Sequence, residues 1–165
     1  GERRSQLVQL VDIYPTVLSA VGRPIPEDIH GVDLLPVMED PDAKTRDYAI
    51  CGQFGQSATI TDGEWILHKA PNEANAPLNW YGYCLSKFMG GYQLGPYEGD
   101  HRECRLPPWE TTDWLSDKRN DMNELSNLAD TEPEKLHEMQ VALKRAFAEI
   151  GAPAEQLKRL GLQDL

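Results

Sequence analysis

The chain has 165 residues, with 16 Lys and Arg against 27 Asp and Glu, for a net charge of −11. That length accommodates one domain with an ordinary core, or a small domain joined to a remnant of a larger one. The acidic balance argues against a nucleic-acid backbone or an anionic membrane as partner. No apolar run approaches the roughly 20 residues that span a bilayer. The N-terminus also lacks a signal peptide's basic and apolar regions. The chain as given therefore reads as soluble, with its compartment unknown. It opens on Gly1 and a charged Glu2-Arg3-Arg4 run rather than on Met, which reads as a cut from a longer polypeptide.

Residues 7–22, LVQLVDIYPTVLSAVG, predict a short helix over about 13–21. Asp12 serves as its N-cap, Pro15 falls in its first turn and Gly22 ends it. Ile13, Tyr14, Val17, Leu18 and Val21 cover most of its circumference, so a neighbouring layer is needed to bury them. Residues 23–46 carry Pro24, Pro26, Pro36 and Pro41 around one apolar turn and read as a surface connector, with a domain boundary near 46. From 47 onward DYAICGQF, SATIT and EWILHK are short β-type runs, and Asp62-Gly63 supplies a tight turn between the last two. Residues 70–110 have no sustained period. Their aromatics, Trp80, Tyr81, Tyr83, Tyr92, Tyr97 and Trp109, suit loop packing or stacking on a sugar ring equally well.

TTDWLSD predicts one more strand, too short for its alternation to fix a buried face. A long helix follows, started by a Thr131/Glu134 capping box with Pro133 in the first turn and stopped by Gly151. Leu136, Met139, Leu143, Phe147 and Ile150 form its apolar stripe. A last short helix covers about 154–160 and ends at Gly161. The predicted fold is α+β: a small antiparallel sheet of about four strands with the long C-terminal helix packed on one face. Cys51, Cys84 and Cys104 form no CxxC pair, which excludes a zinc ribbon or thioredoxin motif. Free thiols are the default, with Cys84–Cys104 the better candidate for a disulfide.

Three segments in order resemble the C-terminal third of sulfatases of the alkaline-phosphatase-like superfamily. Val11-Asp12-Ile13 with Pro15-Thr16, Leu18 and Gly22 is similar to that family's "VDIxPTxLxxxG" helix. Gly31-Val32-Asp33-Leu34-Leu35-Pro36 resembles its "GxSLLP" turn, with Asp33 where Ser is common. Leu115-Ser116-Asp117, then Asp121, Glu124 and Asn127-Leu128-Ala129, resembles "LYDLxxDPxExxNLA", departing at Ser116 for Tyr and Met122 for Pro. The resemblance covers the chain apart from 70–110. It implies that 1–46 end an α/β catalytic domain, whose last helix is the N-terminal one here, and that 47–165 form the C-terminal subdomain.

The resemblance also implies a parent that hydrolyses a sulfate ester, with a carbohydrate as one substrate class. Such a parent uses a formylglycine made from Cys or Ser in C/S-x-P-x-R and a calcium ion held by oxygen ligands, chemistry suited to charge shifting on a sulfate. A periplasmic or secreted parent is compatible with it. No Cys or Ser here stands in that motif, so no catalytic residue, calcium ligand or cofactor is carried over. The expected role is scaffold and pocket wall, completed by an N-terminal catalytic domain, with self-association through the apolar N-terminal helix when that domain is missing. A phosphonate or phosphodiester hydrolase of the same superfamily, or a stand-alone dimerising or binding module, is the rival reading.

His68 and Lys69, at the end of the strand after Asp62-Gly63, are the candidate substrate-binding pair, since cations there can meet a sulfate or sugar carboxylate. An exposed strand end is the plain alternative. His30 and His137 read as surface residues. His101, Arg102, Glu103 and Cys104 resemble a metal cluster in composition only. Asp117, Asp121 and Glu124 lack the glycine and terminal glutamate of a calcium loop and read as a structural turn.

Overall fold

The computed structural model describes residues 1–81, 101–103 and 107–165, and side chains at all of these except 80–81 and 101–103. A single 3-10 turn, Leu10–Asp12, leads directly into helix α1 (Ile13–Ala20). Asp12 stands at the N-cap of α1 as expected, but its side chain makes no cap bond to that helix. Instead Asp12 is fully buried. Its Oδ2 accepts from the backbone N of Gln9 at 2.7 Å, and its Oδ1 accepts from the backbone N of Val32 at 2.9 Å and from Arg46 Nη2. Burial alone would raise this carboxyl, but the bonds from Arg46, Val32 and Gln9 hold it below the ordinary carboxylate value.

The connector 23–46 is folded onto that knot and contains a short helix α2 (Leu35–Glu39). A Cβ at Gly31 would lie 2.1 Å from Val11 O, so only glycine permits the approach. Thr16 Oγ1 donates to Asp12 O at 2.6 Å and accepts from Leu34 N at 2.9 Å, which joins α1 to the entry of α2. Asp33 Oδ1 accepts from Leu35 N at 2.9 Å. A serine hydroxyl can accept the same bond, which accounts for Asp33 standing where Ser is common. Arg4, Gln6 and Leu7 bond to the connector backbone or to Thr45. Leu18 is half-buried rather than exposed, whereas Tyr14, Val17 and Val21 face solvent.

The sheet has the antiparallel order β1-β2-β3-β6, from β1 (Ala49–Gly52), β2 (Ala58–Thr61), β3 (Trp65–Lys69) and β6 (Trp114–Asp117). The predicted Asp62-Gly63 turn joins β2 to β3. Gly63 has φ 96°, and Asp62 Oδ1 accepts from Glu64 N and Trp65 N. Segment 70–110, read as aperiodic, holds a second small sheet of β4 (Asn79–Tyr81) paired antiparallel with β5 (His101–Glu103). Register aligns Ile50, Ile60, Leu67 and Leu115 across the main sheet, so they share one face.

Helix α3 (Pro133–Glu149) packs on that face through Met139, Ala142 and Leu143, with Leu136 and Phe147 at the margin. Leu160 and Leu162, at and just beyond the end of helix α4 (Ala154–Arg159), complete the core. The expected Thr131/Glu134 capping box is not formed. The N-cap is Glu132, one residue later, and Thr131 Oγ1 donates to Leu128 O at 3.3 Å instead. Gly151, at φ 64°, ends the helix as expected, and Ala152 N returns to Phe147 O at 2.9 Å. No helix among the described residues is long and apolar enough to cross a membrane.

The turn after β6 is built by its own side chains. Asn127 Oδ1 accepts from Leu115 N and Ala129 N, and its Nδ2 donates to Asp113 O. The buried Asp117 carboxylate accepts from Arg119 Nε and N through Oδ1 and from Arg119 Nη2 and Asn120 through Oδ2. The Arg119 guanidinium is the main reason that Asp117 titrates at about 2.

Two outcomes follow from this packing. Leu143 is fully buried against the sheet, so Leu143→Ala is expected to cost about 2–5 kcal/mol in urea unfolding. Asp117 has a folded pKa below the unfolded value of about 3.9, so its ion pair stabilises the fold fully above that value. The contribution is lost as the pH falls toward about 2. Asp117→Asn should therefore flatten the acid limb of a stability–pH profile between about pH 4 and pH 2.

Candidate functional site

His68 and Lys69 are adjacent on β3 and point to opposite faces of the sheet. Lys69, on the α3 face, donates through Nζ to Asp113 Oδ1 at 2.9 Å, while Gln140 from α3 holds Asp113 Oδ2 at 3.0 Å. His68, on the other face, has Nδ1 2.8 Å from Thr59 Oγ1 and Nε2 2.6 Å from Glu124 Oε2. Glu124 also accepts from Lys118 Nζ at 2.7 Å. Burial would raise the Glu124 carboxyl, but Lys118 and His68 together hold it low. The two candidate cations are thus separated and each is engaged with a carboxylate. An anion reaching either one competes with Asp113 or Glu124. His30 and His137 are exposed.

Asp117, Asp121 and Glu124 are each held by internal partners. Asp117 is held by Arg119 and Asn120, Glu124 by His68 and Lys118, and Asp121 Oδ2 accepts from Ser126 N at 2.8 Å. Glu124 has φ 56°, a left-handed conformation rare for this residue type, and its two partners fix it there. Among the described residues no group of three or more His, Cys, Asp or Glu is placed to hold a metal ion. The oxygen ligands that a calcium ion requires do not fit this part of the chain. Cys51 is an exposed free thiol. Cys84 and Cys104, the side chains of His101, Arg102 and Glu103, and the aromatic side chains at 80–97 lie outside the described residues.

A feature that the sequence reading missed is an open groove of about 500 Å³ between the β1–β2 turn and α4, lined in part by Phe54, Leu78, Phe147, Pro153, Gln156 and Arg159. Arg159 is only 5% exposed. It donates to Gln156 Oε1, Gln56 O and Asn75 Oδ1, and burial lowers its pKa from the ordinary value. Asn75, at φ 45°, also donates from Nδ2 to Gly55 O at 2.8 Å, so Arg159 and Asn75 fix the groove rim. No periodic pattern flags Arg159, because it sits in a helix of one and a half turns whose only apolar marks are Leu157 and Leu160.

A second surface feature is apolar. Val8, Leu10, Val11, Ile13, Tyr14, Val17 and Val21 are each more than half exposed, with Leu10 at 86%. So many exposed apolar side chains in one short segment are unusual on a free surface.

No family model matches the chain. Arylsulfatase K of Xenopus laevis is 26% identical over 148 residues, which cover 87% of this chain and 23% of that protein. The low-salt glycan biosynthesis sulfotransferase Agl7 of Haloferax volcanii is 31% identical over 102 residues, 56% of this chain and 24% of that protein. A sulfatase structure from work on the metabolism of multiple glycosaminoglycans by Bacteroides thetaiotaomicron shares the fold, with a TM-score of 0.55 at 19% identity over 91% of this chain and 28% of that one. The chain thus spans about a quarter of the length of each relative. By sequence it is similar to a stretch of arylsulfatase K, and by fold to a comparable share of a solved sulfatase structure.

Proposed function

We propose that this chain is the C-terminal subdomain of a sulfuric ester hydrolase, serving as scaffold and as one wall of the substrate pocket. Residues 1–46 close the α/β catalytic domain and residues 47–165 form the subdomain. The observation that carries this reading is the match to arylsulfatase K, which runs through 87% of the chain yet takes up only 23% of that enzyme. The missing C/S-x-P-x-R motif supports it from the other side. In this reading the formylglycine nucleophile and the calcium ion belong to the upstream part of the parent. His68 and Lys69 belong to the pocket wall. The substrate class is a sulfated carbohydrate, supported by relatives named for glycan biosynthesis and glycosaminoglycan metabolism.

The exposed row from Val8 to Val21 has a place in the same proposal. It is the face on which the rest of the parent packs, and in the isolated chain it turns to a second copy. Burial of such side chains is worth roughly 1.5–3 kcal/mol apiece when complete, enough for a few of them to drive association.

Three outcomes are expected. The reading frame upstream of the Glu2 codon should stay open and encode a C/S-x-P-x-R motif with acidic metal ligands; a start codon there would favour a free-standing module. The isolated chain should release no sulfate from an aryl sulfate at any calcium concentration, and turnover above a mock preparation would end the claim. In sedimentation velocity the chain should self-associate, and Leu10→Glu with Val17→Glu should return it to a monomer. A clean monomer of the unaltered chain at high concentration contradicts the role given to this face.

A further inference from the structure

Among the described cations with little solvent exposure, Arg159 differs in having no carboxylate partner among the described residues. Arg46 pairs with Asp12, Lys69 with Asp113, Lys118 with Glu124 and Lys135 with Asp62. Arg159, by contrast, has only neutral acceptors among the described residues: Gln156 Oε1 at 2.8 Å from Nε, and Gln56 O at 3.0 Å and Asn75 Oδ1 at 2.9 Å from Nη1. A charge taken out of water without an opposite charge is unfavourable, and the usual remedies are an ion pair or a bound counter-ion. The Nη2 group makes no hydrogen bond among the described residues, and it is not one of the enclosed polar atoms without a partner. Arg159 is one of the residues that line the groove.

The rest of the groove has a different character. Phe54, Leu78, Phe147 and Pro153 make its walls largely apolar, and aromatic faces of this kind suit the C–H face of a sugar ring. We infer that the groove is a subsite for one acidic saccharide unit, whose ring lies against Phe54 and Phe147 while its carboxylate or sulfate-ester oxygen accepts from Arg159 Nη2. The three neutral acceptors hold the guanidinium in place before the ligand arrives, so little ordering is required on binding. The identity of the ligand as a saccharide rests on the carbohydrate-sulfatase reading above; the oxyanion chemistry rests on Arg159 alone.

The test is an NMR titration of the isotopically labelled 165-residue chain, following the Arg159 Nε–H signal and the Phe54 and Phe147 ring signals at fixed ionic strength. D-glucuronate and glucose 6-sulfate separate the two possible carriers of the oxyanion, inorganic sulfate tests the anion without a ring, and D-glucose tests the ring without an anion. The expected result is a saturable shift of all three signals with at least one acidic sugar and none with glucose. Binding should weaken at least tenfold in Arg159→Gln and partly recover in Arg159→Lys.

Equal binding of inorganic sulfate, without movement of the ring signals, would overturn the saccharide assignment. An Arg159 signal indifferent to every anion would overturn the site itself, whether or not the variants fold. Because no step of the assay depends on sulfate release, failure here is distinct from failure of the sulfatase reading.

Discussion

The carboxylate of Asp12 is fully buried, and three segments of the chain meet on it. It accepts from the backbone of Gln9 before α1, from the backbone of Val32 in the connector and from Arg46 just ahead of the sheet. Gly31 makes that meeting possible by letting the connector press against Val11 O. Thr16 extends it by bridging Asp12 O and Leu34 N. Removing one partner of a buried pair typically costs about 3–5 kcal/mol, because the other is left charged and unpaired. The first 46 residues would otherwise be a short helix and a proline-rich strand of chain with little apolar burial of their own. This knot gives them a fixed position beside β1, where Gln9 also reaches Ile50 O.

Seen this way, the three sequence segments that resemble sulfatases are sets of backbone-fixing side chains. Asp12, Thr16, Gly31 and Asp33 lock the N-terminal unit, and Asp117 and Asn127 lock the turn after β6. Asp12, Thr16, Asp33, Asp117 and Asn127 work by satisfying backbone N–H groups that secondary structure leaves open, and Gly31 works by allowing close approach to Val11 O. None is arranged to do chemistry.

Much of this was legible in the sequence, for physical reasons that differ by element. The Asp62-Gly63 hairpin and the α3 stripe of Met139 and Leu143 are readable because local turn chemistry and a regular period report directly on local structure and burial. Asp12 holds the N-cap of α1 as read, but neither it nor Thr131 makes the expected cap bond. Asp12 is drawn into a long-range ion pair, and Thr131 lies one residue ahead of the true N-cap. Strands β4 and β5 escaped notice because each has three residues, too few to show a period. At the candidate site His68 and Lys69 were identified as cations on β3, but their partners Glu124 and Asp113 lie 56 and 44 residues away and no local pattern predicts them.

Arg159 illustrates the limit most sharply. In sequence it is a charged residue in a short polar helix, where exposure is the natural expectation. In the structure the C-terminal Leu160 and Leu162 dive into the core and carry the preceding residue inward with them. The guanidinium then meets the carbonyl of Gln56 and the amide of Asn75, more than 80 residues distant along the chain. The same anchoring that buries the last leucines thus strips Arg159 of water while supplying, among the described residues, only neutral acceptors. A fold optimised for stability alone would place a carboxylate or an apolar side chain at that point. Its absence beside an open, aromatic-walled groove is the combination that distinguishes a site waiting for an anion from a cation that merely braces loops.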